Sequence, residues 1–174
     1  MGTVNAALGV ERKTLTGTFT FTNASSSVDA SGADLFTEFG TRALTGVTGT
    51  SSGAVITASA SVLGLIAVGD LLGHTSKGFF MVTSIDSAGT TIGITTTPGS
   101  AFAGEAMSVI EYPVIESAAG KVYKVYRILL STGATALVIG SGAGSGTETS
   151  VAAYATSKKT NPVDTTDGWR AVWL

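Results

Sequence analysis

From Leu44 to Ile110 the chain consists of short runs rich in Val, Ile, Thr and Phe, each closed by a glycine-bearing turn signal. The runs are Val47–Ile56, Gly78–Ile85, Thr90–Thr96 and Ala106–Ile110, and Ser52-Gly53, Ala88-Gly89 and Pro98-Gly99 punctuate them. β-branched and aromatic residues favour strands, and turns this frequent leave little room for helices. The clearest pair is Phe79–Ile85 with Thr90–Thr96, joined by Asp86-Ser87-Ala88-Gly89, where the glycine supplies a positive φ at no steric cost.

The flanks carry the same signature. In Thr14–Thr22 every second residue is Thr while Leu15, Phe19 and Phe21 share the other face, the period of a half-buried strand. Lys121–Leu130 reads as a long strand, paired in a hairpin with Ala136–Ile139, and Gly140–Gly146 reads as a loop. Ser31–Phe39 is the one helix expected, capped by Ser31 or Asp34 and stopped by Gly40. The pattern therefore predicts an all-β protein. Its β-sandwich or jelly-roll-like core draws on residues 1–43 and 111–174, and a smaller, glycine-rich, β-barrel-like module occupies 44–110.

Charge is distributed unevenly. No Asp, Glu, Lys or Arg falls between Arg42 and Asp70, or between Arg127 and Glu148. The whole chain is 13% charged, where about 25% is ordinary for a globular domain. Neutral surface costs less to desolvate than charged surface, so such tracts suit burial against another subunit. With 44% apolar residues and a formal net charge of −2, the chain has enough apolar mass for a core and no basic stripe for nucleic acid. The most apolar window, Val62–Leu72, is interrupted by Gly64, Gly69 and Asp70 and falls short of the roughly 20 residues a membrane helix needs. Glu11, Arg12 and Lys13 cut off any apolar leader segment, and synthesis in a cytoplasm is expected.

Chemical motifs are sparse. With no cysteine and a single histidine, His74, neither thiolate nor histidine-cluster metal sites can form. Asp70, His74 and Ser76 lie close together, but no Gly-x-Ser-x-Gly elbow surrounds Ser76, and a solvated loop histidine is the expectation. Gly140–Gly146 lacks the Gly-Lys-Ser/Thr ending of a phosphate-binding loop. Glu105, Glu111 and Glu116 read as solvent-facing residues rather than an acid/base pair. Asn23-Ala24-Ser25 is a glycosylation sequon of consequence only in a secretory pathway. No catalytic residue, cofactor site or metal site is expected.

Three stretches carry a family resemblance. Val68-Gly69-Asp70-Leu71-Leu72, Phe80–Asp86 and Thr90–Thr95 resemble the small β modules of tailed-bacteriophage virion proteins. Ala119–Ile128 resembles the first long strand of β-sandwich modules in such proteins. The resemblance implies a virion component assembled in the host cytoplasm: a capsid decoration protein, or a tail or fibre component. It implies a homo-oligomer, a trimer by analogy, bound to a major capsid protein, with no nucleic acid or membrane partner and no enzymatic activity. From another class, a carbohydrate-binding adhesion module would use Tyr123, Tyr126, Trp169 and Trp173 as a stacking platform.

The segment Trp169-Arg170-Ala171-Val172-Trp173-Leu174 places large apolar residues where chain ends are ordinarily polar and mobile. It reads as a docked strand, either the last strand of the core or an edge offered to a neighbouring subunit, with Trp169, Val172, Trp173 and Leu174 as interface candidates. Deleting these six residues is expected to abolish the fold in the first case, and to abolish oligomerisation or particle binding with the fold intact in the second. Circular dichroism and sedimentation of the truncated chain check this; an unchanged truncation would refute both readings.

Overall fold

The protein is described by a computed structural model covering residues 12–32, 35–112, 114–128, 136–139 and 147–156. Among them are the strands β1 (Arg12–Thr14), β2 (Thr18–Phe21), β3 (Ser27–Ser31), β4 (Thr41–Ser52), β5 (Val55–Ala58), β6 (Leu71–His74) and β7 (Gly78–Ile85). They continue with β8 (Thr91–Ile94), β9 (Ala103–Ile110), β10 (Val114–Ser117), β11 (Val122–Ile128), β12 (Ala136–Ile139), β13 (Glu148–Val151) and β14 (Ala153–Thr156). A single helical turn, α1, spans Leu35–Glu38. The protein is all-β.

Strands β4 to β9 close a six-stranded antiparallel barrel in the order β4-β5-β8-β7-β6-β9 and back to β4. Alternation directs Ile56 and Ala58 of β5 and Ile92 and Ile94 of β8 inward, where they meet Val82, Met107 and Phe102. The 12-residue β4 bends to stay in the ring. Its register with β9 slips between Ala43 and Thr48, where Gly46 has φ 76°, and Leu44 and Val47 on either side both reach the barrel core. Gly73 meets a different demand: a Cβ there would strike the Gly78 carbonyl oxygen and the Phe79 Cα across the β6–β7 hairpin.

The remaining strands wrap a second core. Pairing runs β2-β3-β12-β11-β10-β14, and β14 pairs with β1, which leads back toward β2. Residues 12–21 thus lie along 148–156, with β2 against β13 and Leu15 N–H bonded to the Ala153 carbonyl at 3.0 Å. Phe19, Phe21, Val28, Val125, Leu137 and Ile139 fill this core, and Tyr123 stacks on Phe21 at 5.5 Å between ring centroids.

The two cores share a wall. Leu71, Phe79 and Ile110 belong to the second core, while Leu72, Phe80 and Val109, each the chain neighbour of one of them, belong to the barrel. Successive side chains of a strand face opposite sides, so these apolar doublets mark strand segments covered on both faces. Strand β11 completes the join by pairing Arg127 and Ile128 with Phe80 and Phe79.

Three sequence expectations are corrected. The helix expected over Ser31–Phe39 shrinks to α1, because Ser31 belongs to β3 and Gly40, at φ 67°, ends the turn. Leu35, Phe36 and Phe39 serve as a plug in the second core, with Phe36 against Phe79 at 5.4 Å. The run Thr14–Thr22 is interrupted at Gly17, φ 77°, although Leu15, Phe19 and Phe21 do share the buried face. Val47–Ile56 is two strands separated by a turn at Gly53.

Because the shared wall is buried on both faces, Phe79→Ala and Phe80→Ala are each expected to cost about 3–5 kcal/mol. A strand with one solvated face would lose stability from only one of the two. Urea titration of both variants distinguishes the cases.

Candidate functional site

Among the described residues the most exposed large apolar side chains belong to the segment between β5 and β6, followed by Val55 of β5 at 38%. Leu63, Leu65 and Val68 are 53%, 42% and 59% exposed, while Val62 and Ile66, between and beside them, are buried in the barrel core. The segment 61–69 is therefore a cap, with two residues driven into the barrel and three turned out.

The cap is held firmly. Val62 N–H donates to the Gly89 carbonyl at 2.8 Å, Leu65 N–H to the Val62 carbonyl at 3.0 Å, and Gly69 N–H to the Val82 carbonyl at 2.8 Å. Two charged side chains complete the fixing: Arg42 Nη2 donates to the Leu65 carbonyl at 3.0 Å, and Asp70 Oδ2 accepts the Ala67 N–H at 2.8 Å. Arg42 and Asp70 are the residues that bound the first charge-free tract. Both are thus spent on holding a neutral, apolar surface outward. Gly89 is required beneath it, since a Cβ there would strike Ser61 Oγ and Leu63 Cγ.

Gly89 belongs to the β7–β8 turn, which Asp86 organises. Asp86 Oδ1 accepts the N–H groups of Thr90 at 2.7 Å and Thr91 at 2.9 Å. These bonds, that from Thr91 foremost, hold its carboxyl below the usual carboxylate range. On the other side of the barrel the Ala103 N–H, aided by Lys77, does the same for Glu105, which forms an ion pair with Lys77 at 3.5 Å.

Of the residues singled out for chemistry, the structure brings His74 and Ser76 together. Ser76 N–H donates to His74 Nδ1 at 3.1 Å, and Ser76 Oγ lies 2.7 Å from the same nitrogen, so the imidazole closes the β6–β7 turn. Asp70 is committed to the cap rather than to His74. Among the described residues no group of three His, Asp or Glu side chains is placed to hold a metal ion. No helix among them is long and apolar enough to cross a membrane. Glu111 is exposed, and Glu105 and Glu116 are half-buried. Tyr123 is 5% exposed. That burial removes it from the stacking platform expected with Tyr126, which is half-buried. Trp169, Val172, Trp173 and Leu174, and the Gly140–Gly146 loop, lie outside the described residues.

Sequence reasoning missed the cap as a site. Its signal was the apolar window Val62–Leu72, where buried Val62 and Ile66 lie four apart across a single turn closed by the Ile66 N–H to Val62 carbonyl bond at 3.2 Å, too short a stretch to establish a period. Compared with models of known protein families, with curated proteins and with solved structures, the chain matches none.

The Asp86 carboxyl titrates lower in the folded chain than its ordinary value of 3.8. Its contribution to stability is therefore complete above that value and lost as pH falls through the folded one. Asp86→Ala is expected to lower the thermal midpoint at neutral pH, and the gap to the unaltered chain should narrow on acidification below 3.8. Thermal unfolding of both proteins across that range measures it; a gap independent of pH would contradict the assignment.

Proposed function

We propose that the chain is a non-enzymatic structural component of a bacteriophage particle. Most specifically, it is a capsid decoration protein that associates with itself, as a trimer by analogy, and seats on a major capsid protein. The observation that supports this reading is the pinned apolar cap at Leu63, Leu65 and Val68.

Burying a large aliphatic side chain contributes about 1.5–3 kcal/mol. Three of them on a rigid cap give a contact centre of several kcal/mol. Ordering a loop on binding subtracts from such a gain, and a cap already fixed by backbone hydrogen bonds avoids most of that subtraction. The flanking surface of Thr, Ser, Ala and Gly adds contact area with little charge to desolvate. In a particle the same weak contact recurs in many copies, and multivalency converts modest single-site affinity into durable attachment. A tail or fibre component would use the same contact and differ only in its place on the particle.

Leu63→Asp combined with Val68→Asp is expected to weaken attachment by about tenfold or more, the equivalent of 1.4 kcal/mol. Both side chains are solvent-facing, so circular dichroism should be unchanged. Co-sedimentation of each protein with particles assembled from a tailed-bacteriophage major capsid protein of the same source provides the measurement. Failure of the unaltered chain to co-sediment, or equal attachment of the double variant, overturns the reading.

A further inference from the structure

A groove of about 370 Å³ lies outside both cores, where the barrel meets the second sheet. It is lined by Val138 and by Ile139, at the boundary of the second core, together with the polar residues Ser26, Thr95, Thr96, Tyr126 and Arg127. Among the described residues Arg127 is its one charged side chain, and no carboxylate lines it.

A bulge in β11 makes this lining. The register with β12 runs Val125 to Ile139 and then Arg127 to Val138, so two residues of β11 are accommodated against one step of its partner. Val125 and Ile128 both enter the second core. Tyr126 and Arg127, the pair between them, are both left on the groove side instead of alternating. Bulges of this kind re-aim side chains and are common beside binding sites.

Arg127 Nε is buried and has no hydrogen-bond partner. Arg127 as a whole is half-buried, so its Nε is the donor that lacks water, and a buried donor without a partner calls for an acceptor. Its planar fork matches the two oxygens of a carboxylate. Around it stand three hydroxyl side chains and one aromatic ring, the complement of a polyhydroxylated ring with an apolar face. The two strands that line the groove are paired on both sides, β11 with β12 and β7, and β12 with β11 and β3. Within their described residues neither strand offers an open backbone edge for an extended peptide to pair with.

We infer that the Tyr126–Arg127 groove binds an acidic sugar, with Arg127 taking the carboxylate, Tyr126 the ring face, and Ser26, Thr95 and Thr96 the hydroxyls. The volume falls in the range of small-ligand sites and fits a sugar unit of one or two rings. The inference is independent of the particle reading, since the groove and the apolar cap share no residue.

The acid can be a free monosaccharide or a unit of a polysaccharide, and the test separates them. Glucuronate, an oligomer of glucuronate-containing disaccharides, glucose, acetate, inorganic phosphate and an acidic peptide are titrated into the full chain. Binding is followed by calorimetry and by NMR shifts of the Ser26, Thr96 and Tyr126 amides. Glucuronate is expected to bind at least about tenfold more tightly than glucose or acetate, a gap of 1.4 kcal/mol. Tighter binding of the oligomer than of the monomer assigns the polysaccharide, and the reverse assigns the free sugar. Arg127→Gln should abolish the preference for glucuronate over glucose. Thr96→Val, a milder change that spares the β11 seam, should weaken glucuronate several-fold with the fold intact. Absence of glucuronate and oligomer binding up to ~10 mM, an affinity too weak to matter, overturns the inference. So does binding of phosphate, acetate or the peptide as tight as that of glucuronate, or a Thr96→Val protein that folds and binds unchanged.

Discussion

Burial of both faces of a few strand segments is the constraint on which this molecule depends. Leu71-Leu72, Phe79-Phe80 and Val109-Ile110 each send one side chain into the barrel and the next into the second core. Neither core can be closed without the other's wall. Without Leu72, Phe80 and Val109 the barrel core would lose part of its filling, and without the second sheet Leu71, Phe79 and Ile110 would lie in water. The two halves are therefore one cooperative body in spite of their separate interiors. The register across the seam is fixed as well, because slipping a strand by one residue would exchange the contents of both cores.

Much of this was legible in the sequence, and the reason is local. The period of two in Thr14–Thr22 and the punctuation by glycine between Leu44 and Ile110 act within a few residues, so all-β character and the β7–β8 hairpin followed directly. The doublets were visible too, but a continuous apolar run reads equally as a strand buried on both faces or as a fragment of helix. Deciding between them takes a partner on each side, which only the fold supplies.

The sites were harder to read. Nothing in Val62–Leu72 distinguishes the residues that plug the barrel from those that face outward, because the cap has no repeating geometry. Its direction is set by Arg42, Asp70 and the Gly89 carbonyl, and Arg42 and Gly89 each lie more than twenty residues from the cap residue they hold. The groove depended on a bulge, and Val125-Tyr126-Arg127-Ile128 carries no glycine or proline to announce one. Tyr123 and Tyr126 look alike in sequence, three residues apart. One stacks on Phe21 in the core while the other lines a groove.

The ladder between residues 12–21 and 148–156 has a bearing on how the chain assembles. Ser150 N–H reaches Thr20 Oγ1 at 3.4 Å across 130 residues of sequence, whereas the β6–β7 and β7–β8 hairpins close over a few. Loop closure costs only about 0.6 kcal/mol more for each doubling of length, but topologies rich in distant pairings fold slowly. The barrel's strands carry Leu71, Phe79 and Ile110, which are covered only by the second core, so the shared wall leaves water only when the outer strands have closed over it. Because β13 and β14 pair with β2, β1 and β10, that covering waits during synthesis until residues 148–156 have left the ribosome, and the longest-range ladder sets the moment at which the whole body becomes stable.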